Sequence, residues 1–432
     1  MNPFESLYQE KLCSLQESYQ LIQDGDFIAV GAVGCEPMGF LQYLHTIADR
    51  IQHVHVAHSL EMLRYPFLTD DAFREKFTSD SFFLMGPGRE SVRSGRKEYL
   101  PGNLHDAIKR QIDENQIDVF VCAVTPMDSM GYFRMSLSNI GESQYAAAAK
   151  RIILEVVPSL PVVYGENQIH ISEVDAVFEC DRKYPVLPRE ELTEEDRMIG
   201  QNVAPLVPDG STIQLGIGAI PDAIAQAFMG KKDLGVHTEM ITSSIADLVE
   251  AGVVTGRCKT LHKGQIVGTF ALGDEKLYQL MDRNPAINIM PGNYVNSPSV
   301  IAKNDNMVSI NTAIAVDLSG QVASESLGPL QYSGSGGQSD TATGAIHAAN
   351  GKSIIALRST AKNGTISTIS PFLPQGSIVT LSRNNVDYIV TEYGVAKMKG
   401  QSTKQRAKNL IAIAHPAFRE SLEKQAADLG LI

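Results

Sequence analysis

The sequence has little cysteine, no excess of positive charge and no long apolar run. Its five cysteines lie far apart and form no CxxC pair, which argues against a disulfide framework and against a thiolate metal site. The net charge of -12 argues against a general nucleic-acid binder, because a polyanion is repelled at long range. Apolar runs such as residues 120–124 are strand-length and too short to span a bilayer.

The N-terminal residues also lack a cationic stretch followed by an apolar run, so no signal peptide is predicted. Scattered thiols and the absence of such a leader predict a cytoplasmic protein with neither a membrane nor a nucleic-acid partner. With 432 residues, of which 43% are hydrophobic, the chain is long enough for two or three domains with a substantial core.

An internal repeat is the clearest feature of organisation. Residues 24–31 and 209–216 each contain Asp-Gly, a short apolar strand and a closing glycine, and the Asp-x-x-Gly segments 128–131 and 317–320 follow at nearly the same spacing. Two matched landmarks at matched spacing favour a duplicated unit over coincidence.

Short β-branched runs alternate with helix-like stretches, which predicts an α/β protein with mostly parallel sheets. Examples are the strands at 27–30 and 354–357 and the helix at 104–115. The charged stretch 189–197 resembles a solvated helix start. We therefore predict two similar open α/β halves, residues 1–188 and 189–432.

A glycine-containing loop follows the predicted strand at 211–215. Gly216-Ile217-Gly218 leads into a helix, with Pro221 suited to its first turn. A loop at the carboxyl end of a parallel strand is where open α/β sheets place ligands. By spacing alone the loop is equally well a plain strand–helix turn, and it lacks the G-x-G-x-x-G pattern of nicotinamide dehydrogenases.

Two glutamates stand in distinctive segments. Glu239 lies in Gly235–Met240, and on the residues alone it is either a surface or ion-paired carboxylate or a nucleophile. Its neighbour His237 suits a structural hydrogen bond better than a base, and no metal-ligand spacing accompanies it. Glu392 follows an apolar strand, and we interpret it as a structural carboxylate.

With these segments, the sequence resembles the acetyl-CoA hydrolase/transferase family and, within it, the 4-hydroxybutyrate and butyryl-CoA:acetate CoA-transferase branch. The resemblance covers nearly the whole chain. The segments that carry it are Gln214–Pro221, Gly235–Met240, Thr391–Ala396 and Ile411–Arg419.

The resemblance implies two similar α/β halves with the active site between them, and many members are dimers. It implies that Glu239 forms a glutamyl-CoA thioester, with coenzyme A as co-substrate and no metal. The residues implied to bind near it are the oxyanion and CoA loop of Gln214, Leu215, Gly216, Ile217 and Gly218, the second loop of Gly336, Gly337 and Gln338, and Lys362 as a contact to the phosphate or pantetheine of CoA.

One departure from the family concerns the second glycine loop. The family commonly reads Gly-Gly-Gln-x-Asp-Phe-x-Arg-Gly-Ala, whereas Thr341 and Thr343 here replace the Phe and the Arg. If these residues face the substrate, the pocket is smaller or more polar than usual. If they face the core, little changes.

These observations predict a CoA-transferase that moves CoA between a short-chain acyl-CoA and a small carboxylate such as acetate, through ping-pong chemistry. A carboxylate nucleophile suits this task because it preserves the thioester's energy in a covalent relay. An acyl-CoA hydrolase is the alternative, since it shares nearly every residue. A non-catalytic ligand-binding α/β protein predicts that Glu239 is dispensable, and the chain has no appended DNA-binding segment.

Overall fold

Helices and strands alternate along most of the chain in the computed structural model, which describes residues 3–432. The α-helices are α1 (Pro3–Lys11), α2 (Leu15–Ser18), α3 (Met38–Tyr43), α4 (Pro66–Thr69), α5 (Gly86–Arg93), α6 (Leu104–Glu114), α7 (Glu142–Ala148), α8 (Glu194–Val203), α9 (Ala219–Ala227), α10 (Ser243–Glu250), α11 (Glu275–Met281), α12 (Gly292–Val295), α13 (Pro298–Ile301), α14 (Gln338–His347), α15 (Thr403–Ile413) and α16 (Pro416–Asp428).

The strands are mostly short. They are β1 (Phe27–Val30), β2 (Val54–Ala57), β3 (Phe77–Ser81), β4 (Glu98–Tyr99), β5 (Val119–Val124), β6 (Tyr132–Arg134), β7 (Arg151–Val156), β8 (Tyr164–Gly165), β9 (Gln168–His170), β10 (Ala176–Glu179), β11 (Thr212–Leu215), β12 (Gly235–Ile241), β13 (Ile266–Ala271), β14 (Ile287–Ile289), β15 (Met307–Thr312), β16 (Ala315–Asp317), β17 (Val322–Ala323), β18 (Ser326–Leu327), β19 (Leu330–Gln331), β20 (Lys352–Ala356), β21 (Thr360–Ala361), β22 (Ile366–Ser367), β23 (Ile369–Ser370), β24 (Tyr388–Thr391) and β25 (Gly394–Lys397).

The chain forms two compact units. The first contains the chain up to Leu187 together with Gly268–Tyr294, and the second contains Pro188–Val267 and Val295–Ile432. The division into two domains, residues 1–188 and 189–432, stays a prediction. Among residues 3–432 we find no helix with the length and hydropathy needed to cross a membrane.

The first unit is built on a seven-stranded sheet in the order β10-β7-β5-β1-β2-β3-β4, with parallel pairing throughout. Every side chain of β5 is buried, as expected for a central strand covered by helices on both faces. One face packs into a core that includes Ile28, Phe40, Leu44, Phe67 and Val121.

The second unit carries strands in the order β25-β24-β20-β15-β11-β12. The pairs from β24 to β12 are parallel, and β25 closes the edge by an antiparallel hairpin with β24. Its main core includes Val316, Ile355, Leu381, Ile389 and Leu410. The predicted α/β class with mostly parallel sheets is confirmed.

The acidic segment after the first unit forms a capped helix, as predicted, but it is less solvated than predicted. Thr193 caps α8 through a capping box with Asp196. Asp196 is fully buried, and its two oxygens accept hydrogen bonds from Arg358 at 2.8 Å, which offset the cost of burying the charge. A bidentate pair of this kind ties the start of α8 to the loop after β20.

Candidate active site

Glu239 lies near the carboxyl end of β12 and is the one residue of that strand that keeps part of its surface accessible. The parallel register pairs Ile213 of β11 with Val236 of β12. Continuing that register places Gly216, the first residue of the glycine loop, beside Glu239. The sequence therefore brings the predicted nucleophile and the predicted loop to the same edge of one sheet.

The strand that carries Glu239 is held by a buried lysine. Lys259 is 4% exposed, and its Nζ donates hydrogen bonds to the carbonyls of Val236 and Gln265, each at 2.7 Å. Burial lowers the pKa of Lys259 to about 7. Gly235 is required next to it, because a Cβ there would lie 2.3 Å from Cγ of Lys259.

His237 has a structural role in this strand. Its Nε2 donates a hydrogen bond to the carbonyl of Val295 at 2.8 Å, and the ring is buried. Burial, and then the charge of Lys259, lower the pKa of His237 to about 4. The imidazole is therefore neutral near pH 7 and is committed to the backbone.

Two donors hold the Glu239 carboxylate. Asn296, which is fully buried, donates from Nδ2 to Oε2 at 2.9 Å, and the backbone N–H of Gly337 donates a second hydrogen bond. Burial raises the pKa of Glu239 to about 7, helped by the charge of Asp340, while the two donors oppose the rise.

The second glycine loop approaches this carboxylate closely. A Cβ at Gly337 would lie 2.0 Å from Oε2 of Glu239 and 1.9 Å from Nδ2 of Asn296, so only glycine fits. Gly336 has a φ of +51°, and α14 begins at Gln338. The loop thus delivers a backbone donor directly to the carboxylate.

The first glycine loop leads into the uncapped start of α9. Gly218 precedes α9 with a φ of +103° and no side-chain cap, which leaves backbone N–H groups of the first turn without an intrahelical partner. Ile217 at the tip is 39% exposed, and Leu215 is buried at the end of β11. Such a loop has the donors that an oxyanion needs.

A buried side-chain network surrounds Thr341 on the first turns of α14. Thr341 Oγ1 lies in hydrogen-bonding contact with Ser309 Oγ at 2.9 Å and accepts from Asn311 Nδ2 at 3.2 Å. Gln214 closes the network, because its Oε1 accepts from Ser309 at 2.9 Å and its Nε2 donates to Asn311 at 3.3 Å. The departure at Thr341 therefore replaces an aromatic ring by a hydroxyl that hydrogen-bonds to β15 and, through Ser309 and Asn311, is linked to Gln214 of β11.

Thr343 faces a different neighbour. Its Oγ1 accepts a hydrogen bond from Asn385 Nδ2 at 2.9 Å. Asn385 ends a short 3-10 turn, Arg383–Asn385. This second departure concerns how α14 packs against that turn.

The remaining sequence candidates lie elsewhere in the second unit. Lys362 is exposed on the turn between β21 and β22 with a φ of +47°, and within residues 3–432 no hydrogen bond or ion pair joins it to Glu239. Glu392 is buried and accepts hydrogen bonds from the N–H and the hydroxyl of Ser359, at 2.9 and 2.5 Å. These contacts support the structural interpretation of Glu392.

Sequence reasoning missed Asn296 and Asp340, which set the environment of Glu239. Asn296 follows α12, 57 positions from Glu239, and no motif marks it. Its Oδ1 is buried and accepts no hydrogen bond in the described chain, which fits a site that receives a polar group from a ligand. Within residues 3–432 no group of three or more His, Cys, Asp or Glu is arranged to hold a metal ion.

The fold and this site define a two-unit α/β protein with a buried glutamate held by an asparagine and a glycine loop. The family model of the acetyl-CoA hydrolase/transferase N-terminal domain matches residues 2–188, and that of its C-terminal domain matches residues 273–426. The chain therefore belongs to the acetyl-CoA hydrolase/transferase family.

Individual relatives are similar over almost their full length. The succinyl-CoA:cyclohexane-1-carboxylate CoA transferase of Geobacter metallireducens is 41% identical, over 99% of this chain and 98% of the relative. The 4-hydroxybutyrate coenzyme A transferase of Clostridium kluyveri is 41% identical, over 97% of this chain and 98% of the relative. The crystal structure of RipA from Yersinia pestis matches with a TM-score of 0.94 at 37% identity, over 99% of this chain and 100% of that one.

Proposed function

We propose that the protein is a CoA-transferase that moves CoA between a short-chain acyl-CoA and a small carboxylate, with Glu239 as the covalent nucleophile. The observation that carries the proposal is the Glu239 carboxylate, held by Asn296 and by the Gly337 N–H next to the Gly216 loop. The names of the two relatives support the reaction class, since each is called a CoA transferase.

The first half of the reaction transfers CoA to the enzyme. A carboxylate oxygen of Glu239 attacks the thioester carbonyl, and the C–S bond breaks. CoA thiolate departs, and a mixed anhydride between Glu239 and the acyl group remains. The thiolate then attacks the glutamyl carbonyl, and the first acid departs as its carboxylate. The product is a glutamyl-CoA thioester, so the energy of the original thioester is retained.

The second half reverses these steps with another acid. Its carboxylate attacks the glutamyl carbonyl and releases CoA thiolate, which then attacks the acyl carbonyl of the new anhydride. A new acyl-CoA leaves and Glu239 is regenerated. No general acid or base is required, because the nucleophiles react in their ionised forms and the leaving groups are weak bases. The hydrogen bond of His237 to the backbone agrees with this.

Each step passes through an oxyanion close to the Glu239 carbonyl. The Gly337 N–H is already within hydrogen-bonding reach of that group, and the N–H groups around Gly216 and Gly218 lie at the same edge of the sheet. One such donor is typically worth about 3 kcal/mol of barrier. The two glycine loops are therefore proposed to stabilise charge on opposite sides of the reacting carbon.

The proposal also covers partners and setting. Gln214 to Gly218 and Gly336 to Gln338 are proposed to bind CoA, and Lys362 is proposed to meet its phosphate or pantetheine. No metal takes part, the protein acts in the cytoplasm, and it assembles as a homodimer. Light scattering on the purified chain tests the dimer, because it measures the mass of the assembly. The proposed contact of Lys362 with CoA is tested by the affinity of Lys362→Ala for CoA, which should be lower than that of the parent.

Trapping the thioester tests the chemistry. Incubation with acyl-CoA followed by mild borohydride reduces a glutamyl thioester to an alcohol, so peptide mass spectrometry should find a reduced side chain at Glu239 alone. Glu239→Ala should lose transfer almost completely while keeping most of its CoA affinity. Glu392→Ala is the matched control, since it removes a buried carboxylate of the same unit.

An unmodified Glu239 after this treatment, together with a Glu239→Ala variant that still transfers CoA, would remove the proposal. The hydrolase alternative is separated by the acceptor. A transferase turns over acyl-CoA only when acetate or another acid is added and yields the new acyl-CoA, whereas a hydrolase releases free CoA at its full rate without an added acid.

A further inference from the structure

A buried carboxylate anchors the segment that leads into the second glycine loop. Glu325 is 3% exposed and lies between β17 and β18. Ser335 Oγ lies 3.1 Å from each of its two carboxylate oxygens. Gln331 Nε2 donates to Oε2 at 3.3 Å, and Thr380 Oγ1 donates to Oε1 at 3.1 Å.

The backbone of the same residue reinforces this anchor. The carbonyl of Glu325 accepts from the N–H groups of Tyr332 and Ser333, at 2.8 and 3.1 Å. Segment 331–335 is therefore attached to one residue by its backbone and by its side chains. Burying a carboxylate is costly unless it is hydrogen-bonded. Because hydrogen bonds to an ionised acceptor are stronger than those between neutral groups, the carboxylate holds this segment more firmly than a neutral side chain would.

The glycine pair follows this segment immediately. Two consecutive glycines have wide conformational freedom, yet the Gly337 N–H must meet the Glu239 carboxylate at a contact too close for any other residue. Fixing the residues just before the pair lowers the entropy that this contact would otherwise lose.

We propose that Glu325 is a positioning residue for the transfer reaction: it fixes segment 331–335 so that the Gly337 N–H stays on the Glu239 carboxylate. The inference rests on the proposed function of Glu239. Glu325 itself touches neither Glu239 nor a reacting atom.

Asp317 provides a matched control within the same unit. It is also 3% exposed, and its carboxylate accepts hydrogen bonds from Ser319 (N–H at 2.9 Å, hydroxyl at 2.7 Å) and from Gln321 (N–H at 3.0 Å, side-chain amide at 2.6 Å). The chemistry is the same, but these partners form their own turn and do not belong to segment 331–335.

The test compares Glu325→Gln, Ser335→Ala and Asp317→Asn in the full chain, with circular dichroism to verify folding. Glu325→Gln should lower kcat at least tenfold, with KM for acyl-CoA within about twofold, because the loss falls on the reacting carboxylate. Asp317→Asn should keep kcat within about twofold. Ser335→Ala should act in the same direction as Glu325→Gln, and the double variant should be less than additive.

A pH–rate profile supplies a readout that general destabilisation does not move. Glu239 faces two neutral donors and the Asp340 carboxylate of α14, and none of these side chains is changed. A carboxylate that loses the Gly337 donor is harder to ionise, so the acid limb should shift to higher pH in Glu325→Gln and Ser335→Ala and should stay in place in Asp317→Asn.

If Glu325→Gln and Ser335→Ala fold and match Asp317→Asn both in kcat and in the position of the acid limb, the inference is overturned. If Glu325→Gln fails to fold, Ser335→Ala alone tests the inference, because this variant keeps the buried carboxylate of Glu325. Glu239→Ala separates the two proposals. Activity in that variant refutes the proposed function, whereas its inactivity combined with silent loop variants refutes the positioning role alone.

Discussion

At the scale of single residues, the environment of Glu239 balances two opposite demands. Burial and the nearby Asp340 carboxylate disfavour its charge, and the donors Asn296 and Gly337 restore part of it. The result is a carboxyl group that is about half ionised near neutral pH and is more basic than a carboxylate in water. A more basic carboxylate is a better nucleophile whenever it is ionised.

The first prediction concerns the pH dependence of transfer. Because Glu239 has a pKa of about 7, kcat/KM should fall roughly tenfold per pH unit below about pH 7. Asp340→Asn removes the like charge and should move this acid limb to lower pH. Steady-state rates from pH 5 to 9 check both outcomes, and a flat profile down to pH 5 would contradict them.

The second prediction concerns stability. The pKa of Glu239 is higher in the folded chain, about 7, than its ordinary value of 4.5, so the folded state binds the proton more tightly. Its contribution to stability is therefore present below about pH 4.5 and is lost as pH rises to 7. Glu239→Gln should be more stable than the parent at pH 8, by roughly 1–3 kcal/mol.

Thermal melts of Glu239→Gln and the parent at pH 8 and pH 5 measure this difference. The advantage of the variant should shrink towards pH 5, where the parent carboxyl group is itself neutral. A variant that is less stable than the parent at both values would mean that the carboxylate is well compensated by its donors. Activity is lost in either case, so stability and catalysis separate at this position.

Two segments that carry the family resemblance meet in the structure. The segment Gly235–Met240 contains Glu239, and Gly336-Gly337 belongs to the loop that contacts it, while the catalytic roles of these residues stay predictions. Asn296 and Asp340 were missed, because a single Asn or Asp carries no periodicity and its contact with Glu239 depends on the folded chain. The exposed position of Lys362 leaves its role a prediction.

At the scale of elements, α14 is fixed to the sheet by hydrogen bonds as well as by apolar packing. The hydroxyl of Thr341 contacts Ser309 and Asn311, which both lie on the central strand β15. Gly337, which precedes α14, supplies one of the donors to Glu239, and the first turn of α14 carries the nearby charge of Asp340. The departure from the family at Thr341 therefore affects how that turn is held.

The third prediction follows from that network. Thr341→Val keeps the shape of the side chain but removes the hydroxyl, so Asn311 Nδ2 loses an acceptor and the buried Ser309 hydroxyl loses a partner. An unsatisfied buried polar group costs about 1–3 kcal/mol, so the free energy of unfolding should fall by that amount. Transfer should slow as well, because the turn that carries Gly337 is less well fixed.

Thr343→Val is the matched control on the same helix. Its partner, Asn385, is partly exposed, so water replaces the lost contact and the change should stay under about 1 kcal/mol. Denaturant titrations of both variants measure the difference. Equal losses at the two positions would show that the network around Thr341 has no special weight.

The regular elements followed closely from the sequence. The run 27–30 is strand β1 at the same residues, the run 120–124 lies within β5, and the helix expected at 104–115 is α6, which ends one residue earlier. Strong hydrophobic periodicity and turn residues decide such elements locally. The burial of Asp196 was not predicted, because its partner Arg358 lies 162 positions away.

At the scale of the whole molecule, the chain leaves the first unit and later returns to it. Residues 268–294 belong to that unit, where Leu277, Tyr278 and Met281 are buried and the Tyr278 hydroxyl donates to the carbonyl of Pro185 at 2.9 Å. The sequence shows a change of composition near 188 but gives no sign of this return, because only long-range contacts define it.

The last prediction tests that return. A fragment of residues 1–188 lacks α11 and β14 and should expose the apolar surface that Leu277, Tyr278 and Met281 cover, so it should unfold without a cooperative transition and bind a hydrophobic dye. A second form, in which a Gly/Ser linker replaces residues 189–267 and joins residues 1–188 to residues 268–294, should restore cooperative unfolding. Thermal melts of the two forms, made at equal concentration, compare them directly. A cooperative transition of equal midpoint in both would show that residues 1–188 fold independently and that residues 268–294 add only surface packing.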